Sequence, residues 1–136
     1  HDAREPVQYV FSNGDKKLGV LTDTGCSTPH IQHMLDACQA LVLECNHDLD
    51  MLMNGPYPNS LKQRVSSRLG HLDNQSAANI LKKLNTNKLQ HIVAAHLSEK
   101  NNSPSLATTA LSEALNCEQD WIGIADQLSG FEWREI

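Results

Sequence analysis

The chain has 136 residues, of which 40% are hydrophobic, and it carries a net charge of −5. This length predicts one soluble globular domain, and the negative charge excludes a general electrostatic attraction to nucleic acid or anionic membranes. Four cysteines at irregular spacing, without a CxxC pair, favour reduced thiols over a zinc ribbon. No apolar run approaches the roughly 20 residues that span a bilayer, so we predict a cytoplasmic protein without membrane contact.

The first third of the chain predicts a β-hairpin, a helix and a strand. Residues 7–12 and 18–21 are apolar-rich segments on either side of an Asn-Gly-Asp sequence at 13–15, which is typical of a hairpin turn. The Thr-Pro pair at 28–29 predicts a helix start, because Thr caps helices and Pro fits their first position. An apolar run at 40–45, interrupted by one carboxylate, predicts a buried strand.

The rest of the chain alternates helices with strands. Capping residues and apolar periodicity predict helices at 60–68 and 75–84, a helix that starts at 103–104, and strands at 89–95 and 121–125. We expect Ser60 to cap the first of these helices, and Asp73 or Asn74 to cap the second. Such alternation predicts an α/β fold in which helices cover one face of a sheet. No repeat or linker indicates a second domain, so residues 1–136 are predicted to form a single domain.

Three ionisable residues stand at the ends of predicted apolar strands, namely Asp23, Glu44 and His96. Because chemistry in α/β layers gathers at strand ends, we expect these side chains to lie close together. We predict that His1, Asp23 and His96 are metal ligands, since imidazole and carboxylate suit zinc or manganese and a carboxylate can bridge two ions. The alternative is that Asp23 is a turn residue and His96 an ordinary strand-end histidine, and the pattern alone favours neither.

His71 is a candidate general acid, because an imidazole can donate a proton to a leaving oxygen near neutral pH. Glu44 could orient this ring and keep it charged, so we group both residues as catalytic. Taken alone, a histidine near a helix start is more often only a residue of the cap region. Asn46, His47 and Asp48 form a polar group behind a strand end, and we predict that they line the site or support its ligands.

Seven segments in this order resemble the second half of a metallo-β-lactamase-fold hydrolase. They are 1–6, 22–25, 43–48, 55–58, 61–62, 70–74 and 95–102, and they include Thr-Asp-Thr-Gly at 22–25 and His-Leu-Asp-Asn at 71–74. The resemblance is strongest to the YycJ-type branch, with ribonuclease Z and the phosphonate-pathway cyclic phosphodiesterase as more distant relatives. Single segments are weak signals, but seven in sequence are specific and cover the chain from end to end.

The resemblance implies roles for individual residues. His1 matches a metal histidine of the family, Asp23 matches the aspartate that bridges both metals, and His96 matches the last metal histidine. His71 matches a histidine that relatives use as a proton donor, although here it is followed by Leu-Asp-Asn rather than by Ser-Thr. Residues 46–48 match a branch-specific motif that lines the site.

The family implies a four-layer αββα sandwich of two similar halves, with two divalent metal ions, zinc or manganese, in the cleft between the sheets. Members of this type are phosphodiesterases that use a metal-activated water, and the YycJ-type branch is associated with DNA exonuclease activity. The His-x-His-x-Asp-His ligands of the N-terminal half are absent from these 136 residues. We therefore expect this chain to be the C-terminal half of a longer enzyme, inactive alone and holding metal weakly or not at all.

These expectations define the predicted partners and the alternatives. The partners are the missing N-terminal half and a nucleic acid or small phosphodiester substrate. A sheet face left exposed by the missing half could instead pair in a homodimer. One alternative function is hydrolysis of an ester, lactone or lactam by the same fold, and another is a non-catalytic half-domain that acts in assembly.

Overall fold

The computed structural model describes residues 6–136, so the predicted ligand His1 lies outside the described residues. A mixed five-stranded sheet in the order β1-β2-β3-β4-β5 forms the centre of the fold. The strands are β1 (Tyr9–Ser12), β2 (Lys17–Leu21), β3 (Ala40–Glu44), β4 (His91–Ala95) and β5 (Gly123–Ile124). Strand β1 pairs antiparallel with β2 in the predicted hairpin, whereas β2 to β5 run parallel to one another.

Helices connect the strands of the described chain. They are α1 (Pro29–Leu35), α2 (Leu49–Asn54), α3 (Asn59–Val65), α4 (Asn74–Leu81), α5 (Pro104–Leu115) and a 3-10 turn at Gln119–Trp121. Three predicted caps are confirmed, because Thr28, Asp73 and Ser103 each accept a hydrogen bond from a backbone N–H in the following first turn. None of the described helices combines the length and the apolarity that a bilayer crossing requires.

Two helices differ from the sequence prediction. The sequence pattern does not predict α2, because Leu52 is its one buried residue and no apolar stripe marks the segment. Helix α3 follows Pro58 without a side-chain cap, so the prediction that Ser60 caps it is wrong. It also ends at Val65 rather than near residue 68. Because α3 buries none of its residues, burial leaves no periodic signal for its bounds.

The predicted bounds are also too long in other elements. Strand β4 begins at His91 rather than at residue 89, and α4 ends at Leu81 rather than at residue 84. The last strand contains only two residues, because a 3-10 turn occupies the positions before it. Apolar residues continue past the ends of all three elements, so periodicity alone overestimates their length.

The helices cover one face of the sheet, as predicted. Leu41 of β3 and Ile92 and Ala94 of β4 share that face, because residues paired across parallel strands point to the same side. They form one buried cluster with residues of α1, α4 and α5. Gly19 of β2 permits the close approach of α1, since an added Cβ would lie 2.6 Å from Cδ2 of Leu35.

The opposite face of the sheet is apolar and only partly covered. Val42 and Val93 lie on it and line a cavity of about 310 Å³ beneath the C-terminal segment 131–136. On the outer strand β1, Tyr9 and Phe11 belong to the same face by register, and each is 59% exposed. The sheet therefore has one face buried by helices and one face with apolar side chains still open to solvent.

Leu111→Ala should lower the free energy of unfolding by about 2–5 kcal/mol, because Leu111 is fully buried on α5 and its truncation leaves a cavity. Leu106→Ala is the matched control on the same helix, since Leu106 is 39% exposed and its truncation should cost less than about 1 kcal/mol. Urea unfolding followed by circular dichroism measures both variants. Equal losses would contradict the packing of α5 against the sheet.

Candidate active site

The carboxyl ends of β2, β3 and β4 meet at one edge of the sheet, because these strands are parallel and adjacent. Asp23 follows β2, Glu44 is the last residue of β3, and His96 follows β4. His71 reaches the same place from the loop between α3 and α4. One ligand-type atom from each of these four residues lies within 4.8 Å of the others. The structure thus brings together four of the residues selected from the sequence.

Glu44 is the centre of this group. Its Oε1 accepts hydrogen bonds from Nδ1 of His71 at 2.8 Å and from Nδ1 of His96 at 2.7 Å. Its Oε2 accepts from the backbone N–H of Thr24 at 3.1 Å and of Leu72 at 3.2 Å. The side chain is fully buried, and these donors match the roughly four lone-pair sites of a carboxylate. Glu44 is therefore saturated as an acceptor and orients both imidazoles.

Hydrogen bonds decide the charge of Glu44. Burial raises the pKa of its carboxyl group, but the bonds from His71, His96 and the Leu72 amide outweigh burial and lower the pKa from 4.5 to about 2. In return, the hydrogen bond to Glu44 raises the pKa of His96, although burial opposes it. The buried carboxylate is therefore ionised at neutral pH and favours a proton on each Nδ1 atom that faces it.

The rings of His71 and His96 both turn Nδ1 toward Glu44, so metal binding or proton transfer by either ring has to use Nε2. Asp23 completes the group, with its Oδ1 at 4.0 Å from Nδ1 of His71 and its side chain 46% exposed. The side chain of His96 is 38% exposed. A carboxylate and an imidazole are donors that zinc and manganese accept, so Asp23 and His96 fit a divalent ion as two of its ligands.

Asp23 and His96 share an unusual backbone conformation. Their φ angles are 57° and 58°, in the left-handed region that costs residues other than glycine about 1 kcal/mol or more. The Asn46 side chain supports the second of these positions by donating from Nδ2 to the backbone O of His96 at 3.0 Å. Gly25 supports the first, because it packs so close to the backbone of Ser67 that a side chain would not fit. The loops thus hold both residues in place.

Residues 46–48 connect the site to its supporting loops. His47 is 1% exposed, its Nδ1 lies 3.3 Å from Oδ1 of Asn46, and burial lowers the pKa of its ring. Asp48 caps α2 by accepting from a backbone N–H in the first turn. Of these three, Asn46 hydrogen-bonds directly to His96. That all three residues line the site stays a prediction.

Two buried asparagines support the site and are not selected from the sequence. Asn74 and Asn102 exchange two side-chain hydrogen bonds of 2.9 Å, and Asn102 also donates to the backbone O of Cys45 at 2.7 Å. They tie the loop before α4 to the loop before α5 and to the end of β3. In the sequence each asparagine stands next to a helix cap residue. Asparagine is common at such positions for local reasons, so the sequence does not indicate that the two side chains pair.

The carboxyl carbon of Glu44 should titrate with a midpoint of about 2 in a ¹³C NMR experiment on the folded chain. In the unfolded chain the group should titrate near 4.5. Its ionised form therefore stabilises the fold above that pH, and this contribution, about 3 kcal/mol, is lost as the pH falls through about 2. A midpoint near 4.5 in the folded chain would show that the surrounding donors do not lower the pKa of the Glu44 carboxyl group.

The curated relatives of this chain are exodeoxyribonucleases by name. The chain is 39% identical over 126 residues to exodeoxyribonuclease YycJ of Bacillus anthracis, across 93% of this chain and 47% of that protein. It is 37% identical over 107 residues to exodeoxyribonuclease WalJ of Streptococcus pneumoniae, across 79% of this chain and 40% of that protein. The chain thus spans less than half the length of these relatives. No protein-family model matches it.

A solved structure with a similar fold is the metallo-β-lactamase fold protein YhfI from Bacillus subtilis. The two chains agree with a TM-score of 0.62 at 18% identity, across 93% of this chain and 43% of the other. At this identity the likeness shows the fold alone, and it confirms the predicted α/β fold. The chain is therefore a homologue of the YycJ-type exodeoxyribonucleases over part of their length, and it carries part of a metallo-β-lactamase fold.

Proposed function

We propose that this chain supplies the proton donor and some of the metal ligands of a metal-dependent phosphodiesterase that acts on DNA. The observation that carries the proposal is one buried carboxylate, Glu44, which orients two imidazoles beside the carboxylate of Asp23. Metal-dependent phosphodiester hydrolysis needs groups that bind divalent ions and a group that protonates the leaving oxygen, and this arrangement provides candidates for both. The names of the two bacterial relatives support DNA as the substrate class.

Asp23 and His96 are the described residues that would hold metal, together with His1 outside the described part. Asp23 would be a ligand through its carboxylate, and His96 would be one through Nε2, since its Nδ1 is bonded to Glu44. When bound, zinc or manganese ions would acidify a water molecule and stabilise negative charge on the phosphate. The remaining ligands would come from an upstream half, and relatives more than twice as long as the matched region support this.

His71 would protonate the leaving oxygen of the cleaved phosphodiester. Glu44 fixes Nδ1 of the ring at 2.8 Å, so the proton to be transferred is held at Nε2. Only 13% of the His71 side chain is exposed, which restricts the ring to one orientation. Glu44 acts through this ring as a positioning residue, because its own oxygens are occupied by four donors.

The partly covered face of the sheet is the proposed surface for the upstream half. Val42 lies on this face and Glu44 lies at its end, because alternate residues of β3 point to the same side. A second sheet packed here would also border the site. The fold neighbour, of which this chain covers 43%, supports such a second sheet. A homodimer is the alternative occupant, and light scattering with and without the upstream half distinguishes the two.

The thiols support a cytoplasmic location. Cys26, Cys38, Cys45 and Cys117 are all free of disulfides. Burial raises the pKa of Cys38 and of Cys45, so both thiols stay protonated and unreactive. Unpaired cysteines are typical of proteins that work in a reducing compartment.

Asp23→Asn should lower DNA cleavage at least about 100-fold in the protein extended upstream to the length of its relatives, because it removes a metal ligand. Asparagine keeps the size of the side chain and tolerates the left-handed backbone at this position, so the fold should be preserved. Release of nucleotides from linear double-stranded DNA measures the activity. Metal content per chain, measured by plasma mass spectrometry, should fall in the same variant.

Asp15→Asn is the matched control for this prediction, since Asp15 lies exposed in the hairpin turn. Its cleavage rate and metal content should equal those of the wild type. Near-normal turnover by Asp23→Asn would show that Asp23 is not a metal ligand of the active site. Faster hydrolysis of a β-lactam or a thioester than of an aryl phosphodiester by the wild type would favour the ester and lactam alternative instead.

His71→Ala should slow DNA cleavage by about 100- to 10,000-fold, as expected for loss of a general acid. It should slow hydrolysis of bis(p-nitrophenyl) phosphate much less, because p-nitrophenolate leaves without a proton. His33→Ala is the matched control, since His33 lies exposed on α1. Equal losses on both substrates would exclude proton donation by His71.

A further inference from the structure

A cavity of about 440 Å³ lies beside the site, between the end of β2, the start of α1 and the loop after α3. Thr24, whose N–H bonds to the central carboxylate, forms part of its wall, and so does Arg68, three residues before His71. Gly25 joins these two parts of the wall by packing directly on the backbone of 67–70. The volume falls within the roughly 300–1,000 Å³ that small-molecule sites occupy.

The described residues that line this cavity include a positive charge, whereas the chain as a whole is negatively charged. The chain carries a net charge of −5, yet none of the described residues that line the cavity is acidic. Arg68 and His30 both line it. Within the described part of the chain, the Arg68 guanidinium has no ion pair or hydrogen bond. A guanidinium beside a wall whose described residues include no carboxylate favours an anionic ligand, and a phosphate matches its fork of donors.

Gln8 adds a polar group to the apolar part of the cavity. Its Oε1 and Nε2 are both buried, and neither has a hydrogen-bond partner among residues 6–136. A buried amide without a partner costs about 1–3 kcal/mol, so its place in the wall indicates a ligand that satisfies it. Leu21 and Ile31 contribute apolar surface to the same cavity, which suits the flat face of a nucleobase.

We propose that this cavity binds the nucleotide next to the cleaved phosphodiester, with Arg68 on its phosphate and the Gln8 amide on its base. An amide has a donor and an acceptor, so it can pair with the edge of any base, as degradation of DNA irrespective of sequence requires. The cavity adjoins the site through Thr24, which lines it and whose N–H bonds to Glu44, and Arg68 precedes His71 by three residues. The nature of the ligand rests on the function proposed above.

Binding of 2′-deoxyadenosine 5′-monophosphate to this chain, followed by NMR in the presence of EDTA, tests the cavity without metal. Arg68→Ala should weaken binding of this nucleotide about 10-fold and leave binding of deoxyadenosine, which lacks the phosphate, nearly unchanged. Gln8→Leu keeps the volume of the side chain and should weaken binding of both ligands. The same variant should raise the melting temperature, because it removes a buried amide without a partner.

Lys83→Ala is the matched control, since it also removes one positive charge but stands at an exposed position that does not line the cavity. Its affinity for the nucleotide should equal that of the wild type. Two results would overturn the proposed site: no binding of the nucleotide by the wild type, or equal weakening in Arg68→Ala and Lys83→Ala.

DNA cleavage by the protein extended upstream separates this inference from the proposed function. If the cavity holds the substrate, Arg68→Ala raises KM about 10-fold and changes kcat far less. An unchanged KM in a protein that degrades DNA would overturn the nucleotide site and leave the proposed function standing. A protein that binds the nucleotide through Arg68 but cleaves no DNA would overturn the proposed function and leave the binding site standing.

Discussion

The candidate site depends on hydrogen bonds to one buried charge, the carboxylate of Glu44. A charge without access to water is stable only where donors replace the lost solvent. Two imidazoles and two backbone N–H groups do this here, and they come from the loops that follow β2, precede α4 and follow β4. The positions of His71, His96 and the Asp23 loop relative to one another therefore depend on a single side chain.

The segment that follows Glu44 extends this dependence to the surrounding loops. Backbone groups of residues 45–48 pair with Ala95, Leu72, Ser98, Asn74 and Asn101, and the Asn102 side chain binds the carbonyl of Cys45. Left-handed backbone at residues other than glycine persists only where the surroundings hold it. The dense pairing of these loops explains how His96 keeps that conformation, and the bond from the Thr24 N–H to Glu44 anchors the loop of Asp23.

The two faces of the sheet have different tasks in the proposed arrangement. The face under the helices carries the buried core, so the chain has a continuous hydrophobic cluster. The opposite face ends at the site, because Val42 and Glu44 are two residues apart on β3 and therefore point to the same side. Docking of the upstream half would then cover that apolar face and complete the set of metal ligands at the same time. This accounts for a well-packed core in a chain whose described residues provide few metal-binding donors.

Local features of this fold can be read from the amino-acid order, because capping bonds join residues three apart and burial imposes a period on each element. The hairpin, three helix caps and the strand-end positions of Asp23 and His96 are of this kind. The expected contact of Glu44 with His71 is present, and Glu44 and His96 lie close together as expected, but the direct hydrogen bond between these two residues, 52 positions apart, is not foreseen. Helix α2 and the hydrogen-bonded pairing of Asn74 with Asn102 are also absent from the sequence predictions. Such features depend on the folded chain, since strand register and loop packing join distant residues that no local pattern relates.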